Sequence, residues 1–166
     1  MEKYVEKLVY QLAQMLTSQG LRLATAESCT GGWLGRELTA VSGSSDWYEG
    51  GVISYSNTVK QNLLDVPEQL LQTHGAVSEP VALAMARGGC QSLQTQVGVA
   101  ITGIAGPSGG SEDKPVGTVW IAWHINGQSS SHGFHFQGDR QQVREQAVHA
   151  ALSGLITRLN PLLGAG

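Results

Sequence analysis

Apolar residues at Val5, Leu8, Val9, Leu12, Met15 and Leu16 recur at the spacing that lays one stripe along a helix, and Gly20 follows as a C-terminal stop. The chain is therefore predicted to open with a packing helix. The period then shortens: Leu21, Leu23, Ala24 and Ala26 read as a short buried strand, broken by Thr30-Gly31-Gly32. A helix is predicted from Trp33 to Val41, ended by Gly43, and a second strand over Gly51-Val52-Ile53-Ser54-Tyr55. Asn57 reads as the N-cap of a short helix carrying Lys60, Leu63 and Leu64, with another short helix over Pro67 to Thr73. Ser78 reads as the cap of an Ala-rich helix from Glu79 to Leu93, with Pro80 tolerated in its first turn.

Val97 to Thr102 is the next strand, and it runs into a polar loop rich in Gly and Pro from Gly103 to Pro115. Loops of that length inside compact domains usually serve function. Thr118 to Ile125 and Ser129 to Phe136 are predicted to pair as a hairpin around Asn126-Gly127. Asp139 with Gln142 forms a capping box for a last helix whose Val143, Ala147, Val148, Ala151, Leu152, Leu155 and Leu159 share a face. Helices alternating with buried strands, with a hairpin at the end, predict an α/β fold: a three-layer α/β/α sandwich with a mixed sheet, one domain over residues 1–166.

Composition narrows the function. A length of 166 residues with 41% hydrophobic content supports a real core. No run approaches the ~20 apolar residues of a membrane span, and the start lacks a signal-peptide pattern, so the expectation is a cytoplasmic protein without a membrane partner. Cys29 and Cys90 are too few and too far apart for a stapled scaffold or a metal site. A net charge of -3, without a dense Lys/Arg cluster, argues against a nucleic-acid surface. The 22 glycines exceed the usual share of about 7% and gather where strands give way to loops, which favours a small ligand approached closely by backbone.

The segment Thr25-Ala26-Glu27-Ser28-Cys29-Thr30-Gly31-Gly32 places a hydroxyl on a tight corner between strand and helix, where first-turn N–H groups favour an anion. Ser28 is the first candidate nucleophile, with the amides from Thr30 to Gly32 as oxyanion donors. Lys60, early in a helix after Tyr55-Ser56-Asn57, is the candidate base, since burial and the helix dipole would both lower its pKa. Spacing alone leaves it open between a base and a solvated surface lysine. Cys29 is the alternative nucleophile, although no His partner motif supports a thiolate. The glycine-rich loop could cradle a phosphate but matches no nucleotide fingerprint, and Arg140 could add a bidentate contact or simply pair with Asp139. No His or carboxylate pattern points to a metal, and Trp120 and Trp123 fall on opposite sheet faces as packing residues.

Taken together, Thr25 to Gly32, Tyr55-Ser56-Asn57, Gly75-Ala76-Val77-Ser78-Glu79-Pro80, Gly103-Ile104-Ala105-Gly106-Pro107 and Lys114 to Val119 resemble the CinA C-terminal domain family, in order and over nearly the whole chain. The likeness is to its stand-alone form, without the larger N-terminal domain of the two-domain members. That resemblance implies metal-free, cofactor-free hydrolysis of nicotinamide mononucleotide (NMN) to nicotinate mononucleotide and ammonia, in pyridine-nucleotide recycling. It implies Ser28 and Lys60 as the catalytic pair, with Tyr55 orienting one of them and the hydroxyl of Thr102 contacting substrate or lysine. Substrate contacts are expected from Thr30, Gly31, Gly32, Thr102, Gly103, Ala105, Gly106 and Arg140, and a homo-oligomer, as a dimer, from the family. The rival reading is a nucleotide-binding or interaction domain that uses the same pocket without turnover.

Overall fold

In the computed structural model, which describes residues 2–160, a five-stranded sheet runs in the order β2-β1-β3-β4-β5. Its strands are β1 (Leu23–Glu27), β2 (Tyr48–Ile53), β3 (Val97–Gly103), β4 (Thr118–Ile125) and β5 (Gln128–His135). The first three are mutually parallel, while β4 and β5 form an antiparallel hairpin on the far side of β3, so the sheet is mixed. β1 is buried along its whole length and β3 nearly so, because each has a strand on either side and helices on both faces.

Helices α1 (Glu2–Gln19), α2 (Trp33–Thr39) and α6 (Arg140–Leu159) cover one face. Their apolar stripes make the larger core with Leu23, Val97, Val99, Ile101, Ile121 and Trp123. The helices α3 (Asn57–Leu64), α4 (Glu68–His74) and α5 (Glu79–Leu93) cover the other, around Met85, Val81, Ala100 and Ala122. Trp123 lies in the first core and Trp120 packs against the second, as alternation along β4 requires.

The element boundaries hold with local changes. The strand expected from Leu21 starts at Leu23, and β2 begins at Tyr48, three residues before the predicted Gly51. The cap of α3 is Ser56 rather than Asn57: the Ser56 side chain accepts from the Val59 N–H, the N-cap to N3 bond of a serine cap. Ser78 occupies the N-cap position of α5, but its hydroxyl donates to the Gly75 carbonyl instead of capping the helix. The Asp139–Gln142 capping box is present in full.

One contact fixes the helix that matters most for the site. A Cβ on Gly88 of α5 would overlap the Leu64 carbonyl oxygen, so only glycine lets the end of α3 settle on α5. That close approach turns the inner side of α3, with Lys60 and Leu64, into the protein.

Candidate active site

β1 ends at Glu27 and the backbone turns immediately into α2 through Gly31 and Gly32, whose φ values of 59° and 104° lie in the left-handed region that side-chain-bearing residues avoid. The Ser28 N–H donates to the Ile101 carbonyl on β3 at 2.9 Å. On the other side, the Glu27 carbonyl accepts from the Ser54 N–H at 2.7 Å and from the Ser54 hydroxyl at 3.2 Å. The corner is thus tied to both neighbouring strands before its side chains do anything.

Lys60 reaches this corner from α3 and is buried, with 1% of its surface exposed. Its Nζ lies 3.0 Å from Ser28 Oγ, 2.8 Å from the Ser54 carbonyl and 3.2 Å from the Tyr55 carbonyl. No carboxylate pairs with it among the described residues. Burial therefore lowers its pKa to about 8, against a small opposing influence of the Cys29 thiol. As the ammonium it donates one N–H to each of the three oxygens; on losing a proton it keeps two N–H groups for the carbonyls and frees its lone pair for the Ser28 hydroxyl. In that neutral form it can take a proton from serine. Cys29 is beside them but buried, and desolvation pushes its thiol up to about 12, so it is no thiolate near neutral pH.

Ser28, Lys60, Tyr55, Asn57, Ala76, Val77, Thr102, Gly103, Ala105 and Arg140 are among the residues around a cleft of about 200 Å³. Larger grooves of about 400 and 510 Å³ lie elsewhere on the surface, but neither holds a nucleophile beside a base. No group of three His, Cys, Asp or Glu among the described residues is placed to hold a metal ion.

These positions bear on several expectations. Tyr55 meets the amine through its backbone carbonyl at 3.2 Å, while the residue is 62% exposed. The Thr102 hydroxyl donates to the Ala76 carbonyl at 2.9 Å, not to the lysine, because the end of β3 lies against the chain entering α5. Arg140 is not paired with Asp139: it donates through Nη1 to the Gly106 carbonyl at 2.9 Å, while Gly106 itself is off the cleft lining.

The start of α2 differs most. The Glu27 carboxylate is buried and accepts from the Thr30 hydroxyl at 2.7 Å, the Leu34 N–H at 2.9 Å and the Gly35 N–H at 3.0 Å. The Gly31 N–H donates to the Ser28 carbonyl at 3.1 Å. The helix end is therefore filled from inside by the protein's own anion, and Thr30, Gly31 and Gly32 do not line the cleft. Of the turn amides in question, those of Thr30 and Gly32 keep no acceptor among the described residues.

Three participants carry no strong sequence signal: Glu27 as an internal cap, Ser54 as the carbonyl that holds Lys60, and Arg144. Arg144 donates through Nε to the Cys29 carbonyl at 3.0 Å and through Nη2 to the Thr30 carbonyl at 3.2 Å. Its place one turn after Arg140 on α6 was the available clue.

A family model for the CinA C-terminal domain matches residues 5–159. A CinA-like protein of Syntrophobacter fumaroxidans is 48% identical over 151 residues, which is 91% of this chain but 35% of that protein; the chain thus spans about a third of such relatives. The nicotinamide-nucleotide amidohydrolase PncC of Escherichia coli K12 is 47% identical over 150 residues, covering 90% of this chain and 91% of that one. The crystal structure of a competence-damaged protein (CinA) superfamily protein from Klebsiella pneumoniae superposes with a TM-score of 0.90 at 39% identity, covering 93% of this chain and 97% of that one.

Proposed function

This chain belongs to the CinA C-terminal domain family, and we propose that it is a nicotinamide-nucleotide amidohydrolase that converts NMN to nicotinate mononucleotide and ammonia. One observation carries the reading: a buried amine with no carboxylate partner among the described residues stands 3.0 Å from a serine hydroxyl, in a chain 47% identical over most of its length to a PncC enzyme.

The reaction uses Lys60 in its neutral form. Ser28 Oγ attacks the carboxamide carbon while its proton passes to the Lys60 lone pair. The C–N bond then breaks, Lys60 returns the proton to the departing nitrogen, and ammonia leaves an ester on Ser28. A water that gives its proton to Lys60 attacks that ester; Lys60 reprotonates Ser28 as the acid is released. The cleft side with Gly103, Ala105 and Arg140 is where the ribose phosphate would lie, since Arg140 is its nearest cationic wall. No cofactor enters the scheme. The same reading places the protein in the cytoplasm, as a homodimer.

Purified protein incubated with NMN should release ammonia and nicotinate mononucleotide in equal amounts, and Ser28→Ala should abolish release while retaining NMN binding by calorimetry. Binding without ammonia from the unaltered protein would leave it as a non-catalytic nucleotide-binding domain.

A further inference from the structure

Arg144 is the least expected charge near the site. It lies on α6, half-buried, and no carboxylate comes within 4.0 Å of it among the described residues. Its guanidinium instead donates to two successive carbonyls of the nucleophile turn, those of Cys29 and Thr30, with its carbon 5.4 Å from the centre of the Trp33 ring. A cation at the start of α2 opposes the helix dipole, so helix stability does not account for it.

The geometry points to a role in setting the turn. A trans peptide sends its carbonyl and N–H to opposite sides. With the Cys29 carbonyl committed to Arg144, the Thr30 N–H of the same peptide is turned away from α6, and it has no acceptor among the described residues. The next peptide is fixed at both ends: the Thr30 carbonyl accepts from Arg144 and the Trp33 N–H, and the Gly31 N–H donates to Ser28. Two glycines follow in the left-handed region, which gives the segment little stiffness of its own.

We infer that Arg144 is a positioning residue: by holding the Cys29 and Thr30 carbonyls it fixes the turn that carries Ser28 and keeps the Ser28 hydroxyl on Lys60. It touches neither substrate nor the reacting atoms. The inference rests on Ser28 being the nucleophile of the proposed amidase. It predicts a loss in the chemical step and not in substrate affinity, because misaligned catalytic groups slow turnover while the cleft walls stay in place.

The test uses Arg144→Gln, Arg144→Lys and Arg144→Ala in the full chain. Steady-state kinetics on NMN should show kcat lowered by about 10- to 100-fold in Arg144→Gln with KM within about twofold. The rate at which a fluorophosphonate labels Ser28, read by intact mass, should fall in parallel. Millimolar guanidinium ion should restore part of both rates to Arg144→Ala and nothing to Ser28→Ala. Unchanged kcat and labelling rates, a loss confined to KM, or no guanidinium rescue in a folded Arg144→Ala protein would overturn the assignment. Should the Gln and Ala variants fail to fold, Arg144→Lys decides by its kcat and labelling rate, since it lacks the planar fork that reaches the two carbonyls through separate Nε and Nη2 donors. If the unaltered protein releases no ammonia from NMN, the substrate reading fails, and the labelling rates still judge Arg144.

Discussion

Lys60 links chemistry to stability through one proton. Burial holds its pKa near 8, below the ordinary lysine value, so the folded protein binds this proton less tightly than the unfolded chain. Activity that needs the neutral amine should rise with pH through about 8 and level above it. Stability should follow the same direction: between about 8 and the ordinary lysine pKa the unfolded chain holds more protons, so the Lys60 contribution grows as pH rises. Urea unfolding of the native protein and of Lys60→Met at pH 7 and pH 10 checks this: the native protein should gain on the variant with pH. A constant gap would mean the amine keeps an ordinary pKa. The neighbouring thiol gives a sharper contrast. With its pKa pushed up to about 12, Cys29 contributes no thiolate, and Cys29→Ala should keep kcat within about threefold, where Ser28→Ala loses it. Loss of activity in Cys29→Ala with Ser28→Ala still active would reverse the nucleophile assignment.

Among the elements, α3 decides whether the pair forms, and α5 decides where α3 sits. Gly88 is the contact, and Gly88→Ala would drive a methyl into the Leu64 carbonyl. The expected cost is about 1–3 kcal/mol of stability, read from the urea midpoint, together with a fall in kcat as Lys60 is displaced from Ser28. Full activity at unchanged stability would show that α3 can shift without carrying the lysine away. The same scale explains α2. Its seven residues begin on a buried Glu27 carboxylate, which spends the helix's free N–H groups on holding the corner and not on ligand. The helix-start anion site expected from the Gly-Gly turn is therefore replaced by internal capping, a competition that depends on the conformation of the preceding residue and leaves no mark in hydrophobic periodicity.

At the scale of the whole molecule, the sheet brings together segments far apart in sequence. Ser28 from the end of β1, Lys60 from α3, Thr102 and Gly103 from β3, and Arg140 from α6 meet at one edge because β1 and β3 are parallel and end side by side. This is the general position of sites in sheets with parallel strands. Exposed Ile53, Tyr55 and Leu63 lie on β2, in the connection that follows it, and on α3. Their exposure and the family resemblance support the proposed homodimer, and light scattering should return a mass twice that of the 17.5 kDa chain. A monomer mass at assay concentration would remove the dimer without touching the catalytic reading.

Hydrophobic period, caps and turn residues act over a few neighbouring positions, so the elements and their layers could be read along the chain. The helical stripe of α1, the Asn126-Gly127 hairpin and the Asp139–Gln142 box were all legible for that reason. Ser28 and Lys60 were legible as candidates, but no local rule could tell a buried lysine from a solvated one. Folding is what desolvates Lys60 beside Ser28, sets the Tyr55 carbonyl on the amine, fills the start of α2 with Glu27 and brings Arg144 onto the turn. Each of these depends on which groups compete for a hydrogen bond once distant segments are packed, and that competition exists only in three dimensions.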